Sequence, residues 1–132
     1  MAAQATGTFT VSSWDEDTYQ ELDGGGKLTR ARVSFGLSGD LEADASWEAL
    51  MCYGDDGTAF FTGLQRTVGK LAGREGSFVL NAGGGFENGV AKTQWEVLPG
   101  SATGDLRGLR GTGSAVTTSG SGGTFTLDYE LD

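Results

Sequence analysis

The chain contains no histidine, one cysteine and one proline, and only nine basic residues against eighteen acidic ones. Without histidine no side chain has an ordinary pKa near neutrality. A general base would have to be a carboxylate lifted by burial, a lysine lowered by it, a tyrosine or Cys52. The lone Cys52 excludes an internal disulfide and, with histidine absent, leaves no ligand set for a zinc site. Its neighbours Met51 and Tyr53 offer no basic group to activate it, so its default reading is an inert, buried thiol. The acidic run Asp15-Glu16-Asp17 lacks the glycine and glutamate spacing of a calcium loop. A net charge of −9 repels phosphate backbones and anionic lipid surfaces, so nucleic acid and membrane are not expected partners. No window approaches the roughly 18 consecutive apolar residues of a membrane span. The start Met1-Ala2-Ala3-Gln4-Ala5 is not a basic segment followed by an apolar one. The expectation is a cytoplasmic protein that uses no cofactor and no metal.

What is present is glycine, at 24 of 132 residues, together with aromatics at 10%. Glycine at that level with so little proline points to a folded, glycine-punctuated β protein rather than a disordered chain. The length suits one domain over residues 1–132, large enough to bury a core. A short unit recurs: Gly39-Asp40-Leu41-Glu42-Ala43, Gly69-Lys70-Leu71-Ala72-Gly73 and Gly104-Asp105-Leu106-Arg107-Gly108. Glycines bounding a short alternating stretch allow the bending and close backbone approach that a sheet needs where it curls into a barrel.

Period-two alternation runs through most of the chain. Thr6 to Trp14 alternates Phe9, Val11 and Ser13 against Thr8, Thr10, Ser12 and Trp14, and predicts a first strand. Asp15 to Gly26 is acidic and polar, ends in three glycines, and predicts a loop. Leu28 to Leu37 resumes strand chemistry. Glu42 to Tyr53 also fits a helix, with Trp47, Leu50 and Met51 at helical spacing. Strand is preferred because Leu41, Ala43, Ala45, Trp47, Ala49, Met51 and Tyr53 form one apolar face before the hairpin signal Asp55-Asp56-Gly57. Thr58 to Val68, Ser77 to Leu80, Val90 to Leu98, Leu106 to Val116 and Thr124 to Leu131 complete about eight strands. Eight antiparallel strands with short links avoid exposed edges best by closing into a barrel, with a two-sheet sandwich as the structural rival. An interior of that strand number holds either side chains or one small ligand.

Few residues carry chemistry. Glu42 and Glu48 lie six residues apart on one strand face, hence about 20 Å apart, too far for a carboxylate pair. Either acts singly if its face lines the lumen and is solvated if it does not. Arg66 is charged within the otherwise hydrophobic segment Ala59 to Val68, where it suits a ligand carboxylate or a structural ion pair with Glu42 or Glu48. Tyr53 and Tyr129 have phenols suited to an oxyanion or to the rim of a core. Trp14, Trp47, Phe61, Phe78, Trp95 and Tyr129 are the candidate ligand-binding aromatics, and the same residues suit ordinary core packing. Glu42, Glu48, Tyr53 and Arg66 are the candidate catalytic set. A one-residue register error would exchange these lists for their complement.

Taken together, Trp14-Asp15-Glu16, Lys27-Leu28-Thr29-Arg30-Ala31, Ser38-Gly39-Asp40-Leu41-Glu42, the stretch Gly73 to Leu80 and Pro99-Gly100-Ser101-Ala102-Thr103-Gly104-Asp105-Leu106-Arg107-Gly108-Leu109-Arg110-Gly111 resemble the bacterial DUF3224 family from about Ala5 to Leu131. That family is similar to the barrel group of allene oxide cyclases and dirigent-like proteins. The resemblance implies a closed antiparallel eight-stranded β-barrel, assembled side by side into homo-oligomers. It also implies a hydrophobic substrate held in the lumen and steered through ring closure by proximity and shape. Two departures stand out. Asn81-Ala82 replaces a frequent glutamine-histidine pair, and Gly63-Leu64-Gln65-Arg66 replaces Gly-Leu-Glu-Arg, so any proton transfer at those positions is lost or relocated. Three readings follow: a cofactor-independent cyclase or isomerase, a non-catalytic ligand binder, and a structural or oligomeric barrel. The first two require an accessible lumen; an interior filled by Trp47, Trp95 and phenylalanines would remove the enzyme.

Overall fold

The computed structural model describes residues 2–119 and 121–131; Met1, Gly120 and Asp132, the two ends of the expected domain among them, lie outside the described residues. Eight strands follow one another: β1 (Ala2–Glu21), β2 (Lys27–Gly39), β3 (Leu41–Tyr53), β4 (Ala59–Leu71), β5 (Arg74–Glu87), β6 (Val90–Val97), β7 (Arg110–Ser119) and β8 (Gly122–Glu130). Each pairs antiparallel with its neighbours in sequence, and β8 returns to β1 to close the barrel. The sandwich rival is thereby removed. A row of partners starting at Thr18 on β1 runs through Thr29, Met51, Phe61, Gly84, Thr93, Ala115 and Phe125, and meets β1 again at Gly7. That stagger is the shear that tilts the strands of a closed barrel. Among the described residues no helix is long and apolar enough to cross a membrane.

The helix-or-strand ambiguity at residues 42–53 resolves through alternation. Leu41, Ala45, Trp47, Ala49 and Met51 are buried while Glu42, Asp44, Ser46, Glu48 and Leu50 are exposed. Burying an entire face at once favours period two over the local helical propensity of Ala, Glu and Leu.

The repeat acquires a common location. Gly39, Gly73 and Gly104 have positive φ at the turns of one barrel end, and the leucines at the centre of the three units, Leu41, Leu71 and Leu106, are fully buried at 0% exposure. They plug that end with Leu80, Leu109, Leu127 and Phe78. A loop after β6, including a short 3-10 turn at Gly104–Leu106, folds across it. Ser77 N donates to Thr103 Oγ1 at 3.2 Å and Val79 N to Ser101 Oγ at 3.1 Å, which fastens the loop to β5.

Three boundaries differ from expectation. β1 continues to Glu21 instead of yielding to a loop at Asp15, because β2 supplies partners from Ser13 to Glu21, interrupted only at Tyr19. Gly83-Gly84-Gly85 lies inside β5 rather than ending a strand. A Cβ on Gly84 would stand 1.9 Å from the Lys92 carbonyl oxygen of β6, so the close approach of the strands demands glycine. The third repeat unit, expected within a strand from Leu106, forms the 3-10 turn, and β7 starts only at Arg110.

Candidate functional site

At the end opposite the leucine plug the barrel is incompletely filled. β1 pairs with β8 only over Ala2 to Thr10, then continues with β2 alone on one side. At the point of departure Ser12 is an extra residue in the ladder, and its Oγ donates to the Ser34 carbonyl at 3.0 Å. A bulge of this kind reverses the inside-outside phase of the residues beyond it, here up to the second register shift at Tyr19. Trp14, placed by strict alternation on the face of Thr8 and Thr10, therefore stands with Val11 and opposite the buried Val33. The gap beside it opens onto a cavity of about 110 Å³ inside the barrel.

The cavity wall is aromatic. Trp14, Trp47 and Trp95 line it with Phe9, Phe35 and Phe61, and Val11, Val33 and Met51 add aliphatic surface. Trp47 meets Phe61 edge-on at 5.4 Å between ring centroids, and its Nε1 donates to the Ala82 carbonyl at 3.0 Å, which fixes the indole in place. Trp95 stacks on Phe125 at 5.5 Å. The polar lining consists of Gln65, Thr93 and Thr117. Gln65 is only 2% exposed, and its Nε2 donates to Thr67 Oγ1 at 3.3 Å. No charged side chain among the described residues lines the cavity.

At the rim, Glu16 ties three strands together. Trp14 Nε1 donates to its Oε1 at 2.9 Å, and Thr29 Oγ1 and the Tyr53 hydroxyl both donate to its Oε2 at 2.6 Å. Burial by itself would raise the Glu16 pKa. The bonds from Thr29, Tyr53 and Trp14, with the Lys27 ammonium nearby, outweigh it and hold the carboxyl below its ordinary value. Tyr53 moves the other way, pushed up to about 12 by burial and then by the accepting Glu16 carboxylate. Lys27 Nζ sits 5.2 Å from the Tyr53 ring centroid. With its proton engaged by Glu16, the Tyr53 hydroxyl is a structural donor of the rim.

The other expected catalytic residues lie elsewhere. Glu42, Glu48 and Arg66 project from the outer wall, on the opposite face of the sheet from the cavity. The cause is alternation: each is adjacent in sequence to an inward residue, Leu41, Trp47 and Gln65 respectively. The ion pair expected between Arg66 and Glu42 or Glu48 is replaced by a solvent-exposed pair of Glu48 with Arg32, whose Nη2 lies 2.6 Å from Oε1. Of the candidate ligand-binding aromatics, Trp14, Trp47, Phe61 and Trp95 meet at the cavity. Phe78 is buried near the plugged end, and Tyr129 borders a separate, open groove of about 880 Å³ beside the exposed Arg110–Glu130 ion pair. Gln65, notable in the sequence only as a replacement for glutamate, and Glu16 stand outside the candidate site set. Parity could have found Gln65, since it shares the face of Phe61 and Thr67. Glu16 faces inward only because of the bulge at Ser12.

The family described as "Protein of unknown function (DUF3224)" matches residues 5–129. The chain belongs to the DUF3224 family. A solved structure of a DUF3224 protein of unknown function from Shewanella oneidensis MR-1 resembles this barrel with a TM-score of 0.78 and 28% identity, over 100% of this chain and 98% of that one. No curated protein matches the chain. The DUF3224 barrel thus shares its architecture with a relative over nearly the whole of both chains.

Proposed function

We propose that this DUF3224 barrel binds a small hydrophobic molecule in its lumen. The observation that carries the reading is the cavity of about 110 Å³ walled by Trp14, Trp47 and Trp95 and reached past the free edge of β1. Apolar concavity with a few fixed polar groups is the general character of a small-molecule site. Binding without transformation is favoured over a cyclase or isomerase of the allene oxide cyclase-like kind. Glu42, Glu48 and Arg66 face away from the lumen, and Tyr53 already donates its proton to Glu16. Size argues in the same direction, because drug-sized ligands occupy roughly 300–1,000 Å³, so a long polyunsaturated chain exceeds this lumen. Mild extraction followed by native mass spectrometry tests the reading. A retained small molecule displaced on mutation of Trp95 supports it, whereas an empty barrel that no small apolar molecule shifts by NMR overturns it.

We also propose self-association through the outer face of β2 to β4, where Leu50, Phe60, Leu64 and Val68 are exposed. Arg66 lies within this strip between Leu64 and Val68 on β4, Arg30 and Arg32 lie on β2, and the carboxylates Glu42, Asp44 and Glu48 lie along β3, with Glu48 already paired to Arg32. A two-fold contact can set the arginines of one copy over the carboxylates of the other. Sedimentation of the Leu64→Arg variant should give a monomer where the parent is a dimer; a monomeric parent removes the proposal.

A further inference from the structure

We propose that the lumen selects a neutral, single-ring aromatic molecule bearing a hydroxyl, a phenol in chemical class, with Gln65 as the group that recognises the hydroxyl. The inference deepens the lumen-binding reading and rests on it. Three observations converge on this class.

The first is volume. About 110 Å³ is close to the roughly 150 Å³ of an apolar cavity that accepts benzene, and well short of what a fused ring system or long chain requires. The second is wall chemistry. Indoles and phenyl rings held by the Trp47–Ala82 bond and the edge-on Trp47–Phe61 contact present rigid π faces, which favour a flat ring in offset or edge-on packing. Among the described residues no cationic group lines the cavity, and the chain carries a net charge of −9, so an aryl carboxylate would enter unpaired and against the field.

The third observation is the carboxamide of Gln65. Its bond to Thr67 is long at 3.3 Å and uses one of two amide protons; among the described residues no bond engages its oxygen. Every side-chain nitrogen or oxygen fully shut off from open space has a partner among the described residues, so the unengaged oxygen is open to the cavity that Gln65 lines. A carboxamide in an apolar wall is costly to bury without its full complement of bonds. A phenolic hydroxyl completes that complement, donating to Oε1 and accepting from Nε2. Benzene or toluene fills the same volume and leaves the amide as it was.

The test is titration of the full chain with phenol, benzene and 1-dodecanol, followed by tryptophan emission and amide chemical shifts. The parent should bind phenol about tenfold more tightly than benzene, the factor of one good hydrogen bond. Gln65→Leu should retain benzene and lose that preference, and Gln65→Met, of similar length, repeats the measurement if the leucine variant folds poorly. Equal binding of phenol and benzene by parent and variants overturns the role of Gln65 while leaving lumen binding intact. Binding of 1-dodecanol with neither ring overturns the ligand class and again leaves lumen binding standing. Failure of all three probes to bind the folded parent overturns both readings.

Discussion

Glu16 is the residue on which the open end of the barrel depends. Its carboxylate accepts from β1 through Trp14, β2 through Thr29 and β3 through Tyr53. Because its folded pKa is depressed, the stabilisation it contributes is present above the ordinary value of 4.5 and is lost as pH falls through the folded value. Acid should therefore release Trp14, and its emission should change below pH 4.5 before the far-ultraviolet signal of the strands is lost. Tyr53→Phe should lower the unfolding free energy by about 1 kcal/mol. Urea midpoints unchanged by that substitution would show that the rim cluster holds nothing. Tyr53 has the opposite sign: with its folded pKa raised to about 12, its contribution is complete below the unfolded value of 10 and is lost as pH rises through 12.

Two glycines make a matched pair at the same scale. At Gly36 an added Cβ meets nothing within 4 Å, whereas at Gly84 it meets backbone oxygen at 1.9 Å. Gly36→Ala should be neutral or stabilising by up to about 1 kcal/mol, chiefly by restricting the unfolded chain. Gly84→Ala should destabilise clearly, since β5 and β6 must part to admit it. Denaturant titration of the two variants separates backbone entropy from close approach. Equal midpoints would contradict this geometry.

Among the elements, β1 is divided in function. Its first half, Ala2 to Thr10, pairs with β8 and closes the barrel, and Gly7 to Thr10 are laddered on β2 as well. Its second half, beyond the bulge at Ser12, has β2 as its only ladder partner among the described residues and forms one side of the cavity mouth. Exposed strand edges invite unwanted pairing, and Asp15, Asp17 and Glu21 charge this one. Hydrogen exchange should be faster over residues 13–21 than over residues 7–10, which are laddered on both sides, and a ligand in the lumen should slow the former selectively by contact with Trp14. Uniform protection along β1 would show the mouth to be as rigid as the wall.

For the whole molecule, topology sets the kinetics. Hairpins from β1 to β8 are local, but closure joins residues as far apart as Ala2 and Glu130. Folding of a chain so dependent on distant pairing is expected in milliseconds to seconds. Weakening the β1–β8 seam should raise the unfolding rate more than it slows folding if closure comes last. Stopped-flow fluorescence of a Leu127→Ala variant checks this, and a slowed folding arm with unchanged unfolding would place closure early.

The sequence alone determined the strand count, the alternating faces of β3 and the corner repeat, because period two and glycine punctuation act locally and leave their trace in neighbouring residues. It also carried the aromatic set from which Trp47, Phe61 and Trp95 were drawn. Only the tertiary structure decided the rest. Register and shear brought those rings into one cavity, and the extra residue at Ser12 turned the half-exposed Trp14 and Glu16 to the cavity side of β1. Glu42, Glu48 and Arg66 could be assigned to the outer wall only once the inward face was known. The physical reason is that alternation defines two faces without saying which is inside. That choice belongs to the closure of the barrel, where β8 meets β1 and one face of every strand is enclosed.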